Sequence, residues 1–199
     1  MAEILLLHHA HGLTEGLCSL ADRLRAAGHT VHAPDTFSGK TFASVDDGIA
    51  YAERIGHDAV LEVAIRTARA HPAADVVLGF SMGASPAQHL AQHMRRMRGC
   101  VLMGSASTAE MHGSSWRPQV ALQIHVADPD DWCTAEEVGA LEREVPAAEV
   151  FRYPGLRHMF VDPSTPDYDA DAADSFEERL HDWLMRLEDG RAGTPLTAV

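Results

Sequence analysis

Three residue types that together perform nucleophilic acyl chemistry occur in this chain in a usable order. They are a serine in Gly79-Phe80-Ser81-Met82-Gly83, an acidic loop Asp128-Pro129-Asp130-Asp131, and a histidine in Tyr153-Pro154-Gly155-Leu156-Arg157-His158. A serine hydroxyl is a weak nucleophile, so it needs a base to take its proton and an acid to orient that base. Gly-x-Ser-x-Gly alone is common in unrelated turns. Its context gives it weight here, because a β-branched apolar run, Asp75 to Phe80, leads into it and an alanine-rich helical pattern follows from Ala84. That strand-turn-helix order is a nucleophile elbow, in which two glycines let strand and helix approach around a strained, exposed Ser81.

The acid must follow the strand ending at Val126, and the histidine must follow the strand ending near Tyr153. Asp130 is the expected acid, since Pro129 carries the chain clear of the strand while Asp128 lies almost within it. An aspartate beside proline is also an ordinary solvated turn residue. His158 is one of thirteen histidines and is singled out by its place where the last strand opens into loop. In this reading His158 takes the Ser81 proton and returns it to the leaving group, while Asp130 holds the imidazole tautomer. The oxyanion is expected to meet two backbone N–H groups, those of Met82 and Ala10. His9, His11, Trp116 and Trp132 are the candidates for the substrate pocket, and Met111 is a further pocket or lid residue.

The elements that must position these groups alternate between strand and helix. Glu3 to His8 reads as a strand covered on both faces, and Thr14 caps a helix that ends at Gly28. Thr30 to Ala33 is a second strand, the loop Thr36 to Asp47 is expected to lie over the first loop, and a helix runs from Asp46 or Asp47 to about Ala70 with a break near Gly56. After the elbow a helical stripe extends through Met94 and Met97, with Arg95, Arg96 and Arg98 complementing its dipole. Gly99 to Gly104, Gln119 to Val126 and Glu149 to Tyr153 are the remaining strands, with helices over Thr134 to Glu144 and Asp169 to Leu187. The result is an α/β fold with a doubly wound, mainly parallel sheet, helices on both faces and no cap domain. One domain over 1–188 and a frayed tail over 189–199 are expected.

Composition removes several alternatives. With 29 acidic against 16 basic residues the net charge is -13, which argues against nucleic acid or an anionic membrane as partner. Lys40 is the one lysine and sits in a loop-like Ser-Gly-Lys-Thr, so a Schiff-base mechanism has little to rest on. Cys18, Cys100 and Cys133 are too widely spaced for a disulfide framework or a Cys-x-x-Cys metal site, and no apolar run approaches a membrane span. A cytoplasmic protein is expected, monomeric or homodimeric. His8, His9 and His11 lack further ligands that sequence can place, so no metal is expected; with no Gly-x-Gly-x-x-Gly, neither is a cofactor.

At these residues the sequence resembles the dienelactone hydrolase family of α/β-hydrolases. The resemblance runs through His8-His9-Ala10-His11-Gly12-Leu13, Gly28 to Asp35, the elbow, Ala127 to Trp132 and Tyr153 to Phe160. It implies hydrolysis of a small ester or lactone, with Ala10 at an oxyanion position and His9 where the family usually carries an acid. Two departures stand out. The founding members use cysteine where this chain has Ser81, and they hold the substrate carboxylate with an arginine where this chain has Asp162. A neutral ester substrate is therefore expected. The same acyl-enzyme chemistry would serve a thioesterase or acyltransferase, and a non-catalytic binding protein of this fold is the rival from another class.

Overall fold

The computed structural model describes residues 1–190. The expected tail falls on residues 191–199, outside them, apart from Asp189 and Gly190 at the end of the last helix. Six strands form one parallel sheet: β1 (Glu3–Leu7), β2 (Thr30–His32), β3 (Val76–Phe80), β4 (Gly99–Met103), β5 (Ala121–Asp128) and β6 (Glu149–Pro154), in the order β2-β1-β3-β4-β5-β6. Consecutive side chains of a strand point to opposite faces, and here both faces are covered. Leu5 and Leu7 pack with residues of α3 (His57–Ala70), α4 (Ala84–His93) and α5 (Ala135–Glu144). Ile4 and Leu6 pack with those of α1 (Glu15–Ala26) and α6 (Ala170–Glu188). This double burial is why the strands read as unbroken aliphatic runs.

The helices begin where short polar side chains can accept from their first free N–H groups. Thr14 accepts from Leu17 N, Thr134 from Glu137 N in a capping box, and Ser44 caps α2 (Val45–Ile55), two residues before Asp46 and three before Asp47, the expected starts. The elbow helix departs from expectation. α4 ends at His93, because Met94 turns to an extended conformation with ψ 112°. Its last carbonyls are met by Arg117 from the β4–β5 connection, which donates to Ala91 O at 3.2 Å and Met94 O at 2.5 Å. Arg96 instead donates to Ala74 O at 2.9 Å, and Arg98 pairs with Asp75 at 2.6 Å. Those two arginines tie the approach to β4 against the approach to β3.

From β1 the chain steps outward to β2 and then crosses back to β3, so the carboxyl ends of β1 and β3 flank a topological switch point. In open α/β sheets that is where ligands bind. The loop from His8 and the turn at Ser81 both start there.

Candidate active site

Ser81 sits between β3 and α4 at φ 47°, a left-handed conformation that costs a serine roughly 1–3 kcal/mol and persists only where its surroundings enforce it. The flanking glycines show the enforcement. A Cβ on Gly79 would lie 2.5 Å from Gly83 O and 2.6 Å from the Ala84 Cα, and one on Gly83 would lie 2.3 Å from Leu7 O. Any side chain at either position would push α4 off the sheet or the elbow off β1.

The Ser81 hydroxyl lies 2.7 Å from His158 Nε2, and His158 Nδ1 lies 2.9 Å from both carboxylate oxygens of Asp130. An ionised carboxylate only accepts, so Nδ1 carries the proton, donates to Asp130, and leaves Nε2 free to accept from Ser81. The Asp130 carboxylate is solvent-inaccessible, and its Oδ1 also accepts from the N–H groups of Trp132 and Cys133 at 2.8 and 3.2 Å. Asp128 is exposed at the end of β5 and Asp131 is exposed in the loop; neither carboxylate forms a hydrogen bond or ion pair with His158, which pairs with Asp130. Gly104, at φ 71°, is a site residue that sequence alone did not suggest. A Cβ there would come within 3.0 Å of His158 Cε1 and 2.7 Å of Met159 Cε, so its bareness makes room for the imidazole.

Met82 lies in the Ser81–Gly83 turn that leads into α4, and the loop toward Ala10 starts directly beside that turn, since a Cβ on Gly83 would collide with the carbonyls of both Leu7 and His8. Ala10 is fixed from behind by α2, where a Cβ on Gly48 would stand 1.9 Å from Ala10 O. The loop over 36–44 lies on this segment as expected, with Phe42 N donating to His11 O and His11 Nδ1 donating to Phe42 O, both at 2.9 Å. That bond fixes the proton of His11 on Nδ1. Its Nε2 is left as a buried acceptor with no partner among the described residues.

Three expectations need correction. His9 does not line a cleft: it is wholly buried, its Nε2–H donates to Asp162 Oδ2 at 2.7 Å, and its Nδ1 accepts from His11 N at 3.2 Å. Trp116 lines neither cleft beside the triad but packs in the core cluster of α4 and α5 and donates to Val120 O at 2.9 Å. Asp162 is no substrate-facing substitute for an arginine, because none of its surface reaches solvent. It accepts from His9, from the Thr14 hydroxyl at 2.6 Å and from Ser164 N at 2.8 Å, against a Gly16 whose Cβ would collide with Oδ1. Burial alone would raise the Asp162 carboxyl, but the bonds from His9, Thr14 and Ser164 hold it below the ordinary carboxylate range. Burial also lowers His9 despite that neighbour. The pair is a neutral imidazole donating to a buried carboxylate. It joins the loop that carries Ala10 to the loop that follows His158.

Trp132 is at the site, half exposed, with its ring 6.2 Å from that of His158. A cleft of about 490 Å³ opens there between Val45, Trp132, Gly155, Arg157 and His158, and one of about 670 Å³ lies on the other side, between Met82, His89, Ser105 and the exposed Met111. His8 shares no ligand position with His9 or His11, since its Nδ1–H donates to His9 O and its Nε2 accepts from Thr36 N. Cys100 and Cys133 are buried, and burial pushes the Cys133 thiol up to about 12.

The parallel sheet, its strand order and the helices on both faces are those of an α/β-hydrolase. The family can be stated as well: the chain belongs to the dienelactone hydrolase family, whose model matches residues 2–187. Among solved structures it is similar to a dienelactone hydrolase-like promiscuous phosphotriesterase from metagenomic libraries, at 22% identity over 94% of this chain and 87% of that one, with a TM-score of 0.75. The esterase domain of a Rhodothermus marinus protein is similar at 13% identity over 93% and 86%, with a TM-score of 0.65. An α/β-hydrolase from a Medee basin deep-sea metagenome library is similar at 16% identity over 94% and 85%, with a TM-score of 0.63. At such identities the likeness is one of fold. No curated protein matches the chain.

Proposed function

We propose that this hydrolase is a serine esterase that cleaves small, uncharged carboxylic esters or lactones through an acyl-enzyme on Ser81. The observation that carries the reading is the unbroken chain of hydrogen bonds from Ser81 Oγ through His158 to the inaccessible carboxylate of Asp130. His158 Nε2 takes the Ser81 proton as Oγ bonds to the carbonyl carbon, and the imidazolium formed is stabilised by Asp130. Charge developing on the carbonyl oxygen is met by the N–H groups of Met82 and Ala10, whose backbones the contacts around Gly83 and Gly48 hold still. His158 then gives the proton to the departing alcohol. Water, deprotonated by the same nitrogen, releases the acid.

The preference for neutral substrates rests on charge at the cleft. Among the described residues Arg157 is its only Lys or Arg, against Asp130, Asp131 and Asp167. That arginine is taken up by Asp167 at 3.5 Å and by the carbonyl of Pro166. A desolvated substrate carboxylate would stand unpaired among acids, at a cost of several kcal/mol. Short-chain aryl acetates and butyrates are therefore expected to be cleaved with higher kcat/KM than cis- or trans-dienelactone at neutral pH. Efficient turnover of the anionic lactone would contradict the charge argument.

A further inference from the structure

Away from Ser81, at the edge of the sheet, Glu3, His32 and His71 bring one carboxylate and two imidazoles together, with a donor atom of each within 4.8 Å of the other two. Glu3 begins β1, His32 ends β2, and His71 terminates α3. The register sets Leu5 opposite His32, so Glu3 and His32 share the sheet face on which α3 packs. His32 Nε2 lies 3.0 Å from Glu3 Oε1, and the His32 and His71 rings stack at 3.4 Å with 18° between their planes. The His71 ring makes that contact and no hydrogen bond among the described residues.

We propose that these three residues bind a divalent transition metal, zinc foremost, which ties the edge strand β2 to β1 and to the end of α3. Two imidazole nitrogens and one carboxylate oxygen form a zinc-type donor set with a fourth position left for water, whereas magnesium and calcium require mostly oxygen ligands. A tetrahedral ion with bonds of about 2.1 Å needs donors about 3.4 Å apart, so the widest pair has to close by about 1.4 Å at most. Side-chain rotation has to supply that and also turn the two rings out of their stack, since imidazole lone pairs lie in the ring plane and near-parallel planes do not converge on one ion; there is room to turn, because the Glu3 and His32 side chains are 24% and 22% exposed and His71 is partly exposed too. The backbones need not move, since the register already fixes the first two. β2 has only three residues and one neighbouring strand, which makes it the part of the sheet with most to gain from such a tie.

The test uses the full chain after removal of metal by chelator and dialysis. Titration with zinc is expected to show one tight equivalent and, at about 100-fold excess over Kd, a Tm higher by about 5 °C. Cobalt(II) added to the same protein is expected to give visible absorption bands of a four-coordinate site. His71→Ala and Glu3→Gln should each weaken binding at least about tenfold and remove those bands, with esterase kinetics unchanged. His93→Ala, in a separate histidine cluster, should leave binding intact. The proposal is overturned if no equivalent binds at 100 µM zinc (about the weakest affinity that would matter), if His71→Ala keeps full affinity, or if magnesium raises Tm as much as zinc.

Discussion

Replacing Asp162 by asparagine asks whether the buried His9–Asp162 pair positions the reaction or merely fills space. The substitution keeps the shape, removes the charge and turns one acceptor oxygen into a donor. If the amide oxygen keeps the bonds from His9 and Thr14, its NH2 faces Ser164 N–H; if the amide is reversed, its NH2 faces His9 Nε2–H. His9 has no easy escape by changing tautomer, because its Nδ1 already accepts from His11 N. One buried donor is left facing another, a cost of about 1–3 kcal/mol in stability. The consequence for turnover is separate. His9 precedes Ala10, and misplacing an oxyanion donor by about 1 Å lowers turnover about 10²-fold, comparable to losing the donor. With p-nitrophenyl acetate, Asp162→Asn is expected to lower kcat about 10²-fold while KM changes less than about threefold. Urea unfolding should report a loss of about 2 kcal/mol. A variant that loses this stability but keeps wild-type kcat would show Asp162 to be structural only. An improved KM for anionic esters at unchanged kcat would show that its charge faces the substrate after all.

Asp130→Asn should lower kcat by about 10⁴-fold by presenting the wrong partner to His158 Nδ1, while Asp128→Asn and Asp131→Asn remain close to wild type; a severe loss in Asp128→Asn with a mild one in Asp130→Asn would reverse the assignment. Stability should fall with acid before the carboxylates titrate. Burial holds His8 down to about 4 and His125 to about 3, so from pH 6.5 downward the unfolded chain takes up protons that the folded one refuses. Each such histidine adds about 1.4 kcal/mol of lost stability per pH unit until its folded value is reached. Full burial, with the Arg179 guanidinium nearby, keeps His125 neutral, and its bonds fix the tautomer: the Tyr153 hydroxyl donates to Nδ1 and Nε2–H donates to Gln123 Oε1. In urea melts between pH 6 and 5, His125→Phe should therefore show a slope shallower than wild type by about 1.4 kcal/mol per pH unit, and parallel slopes would refute the assignment.

The fold was legible because its physics is local and repetitive. Strands buried on both faces, such as Ile4 to Leu7, carry no polar position, and capping residues such as Thr14 and Thr134 mark helix starts within a residue. The serine turn was legible for the same reason, since the two glycines and the apolar strand lie within a dozen residues. What depends on distant pairing was not. Nothing near Arg117 in sequence shows that it caps α4, and 153 residues separate His9 from Asp162. Asp162 was misread because a substituted arginine position suggests a change of pocket charge, whereas the carboxylate points into the protein. Trp116 was misread because an aromatic residue in a polar loop has the same signature over a pocket as over a core. Gly104 gave no signal, because its purpose is set by a histidine that arrives 54 residues later.

The nucleophile can be tested directly by treating the protein with a fluorophosphonate and mapping the adduct by peptide mass spectrometry. A serine activated by His158 and Asp130 predicts one stoichiometric adduct on Ser81, absent in Ser81→Ala and slowed by about four orders of magnitude in His158→Ala, with all three proteins equally folded. Failure of Ser81 to label in the folded wild-type protein, or retention of more than a few per cent of esterase activity in Ser81→Ala (roughly a hundred times what a lost triad serine leaves), would contradict the assignment of Ser81 as nucleophile.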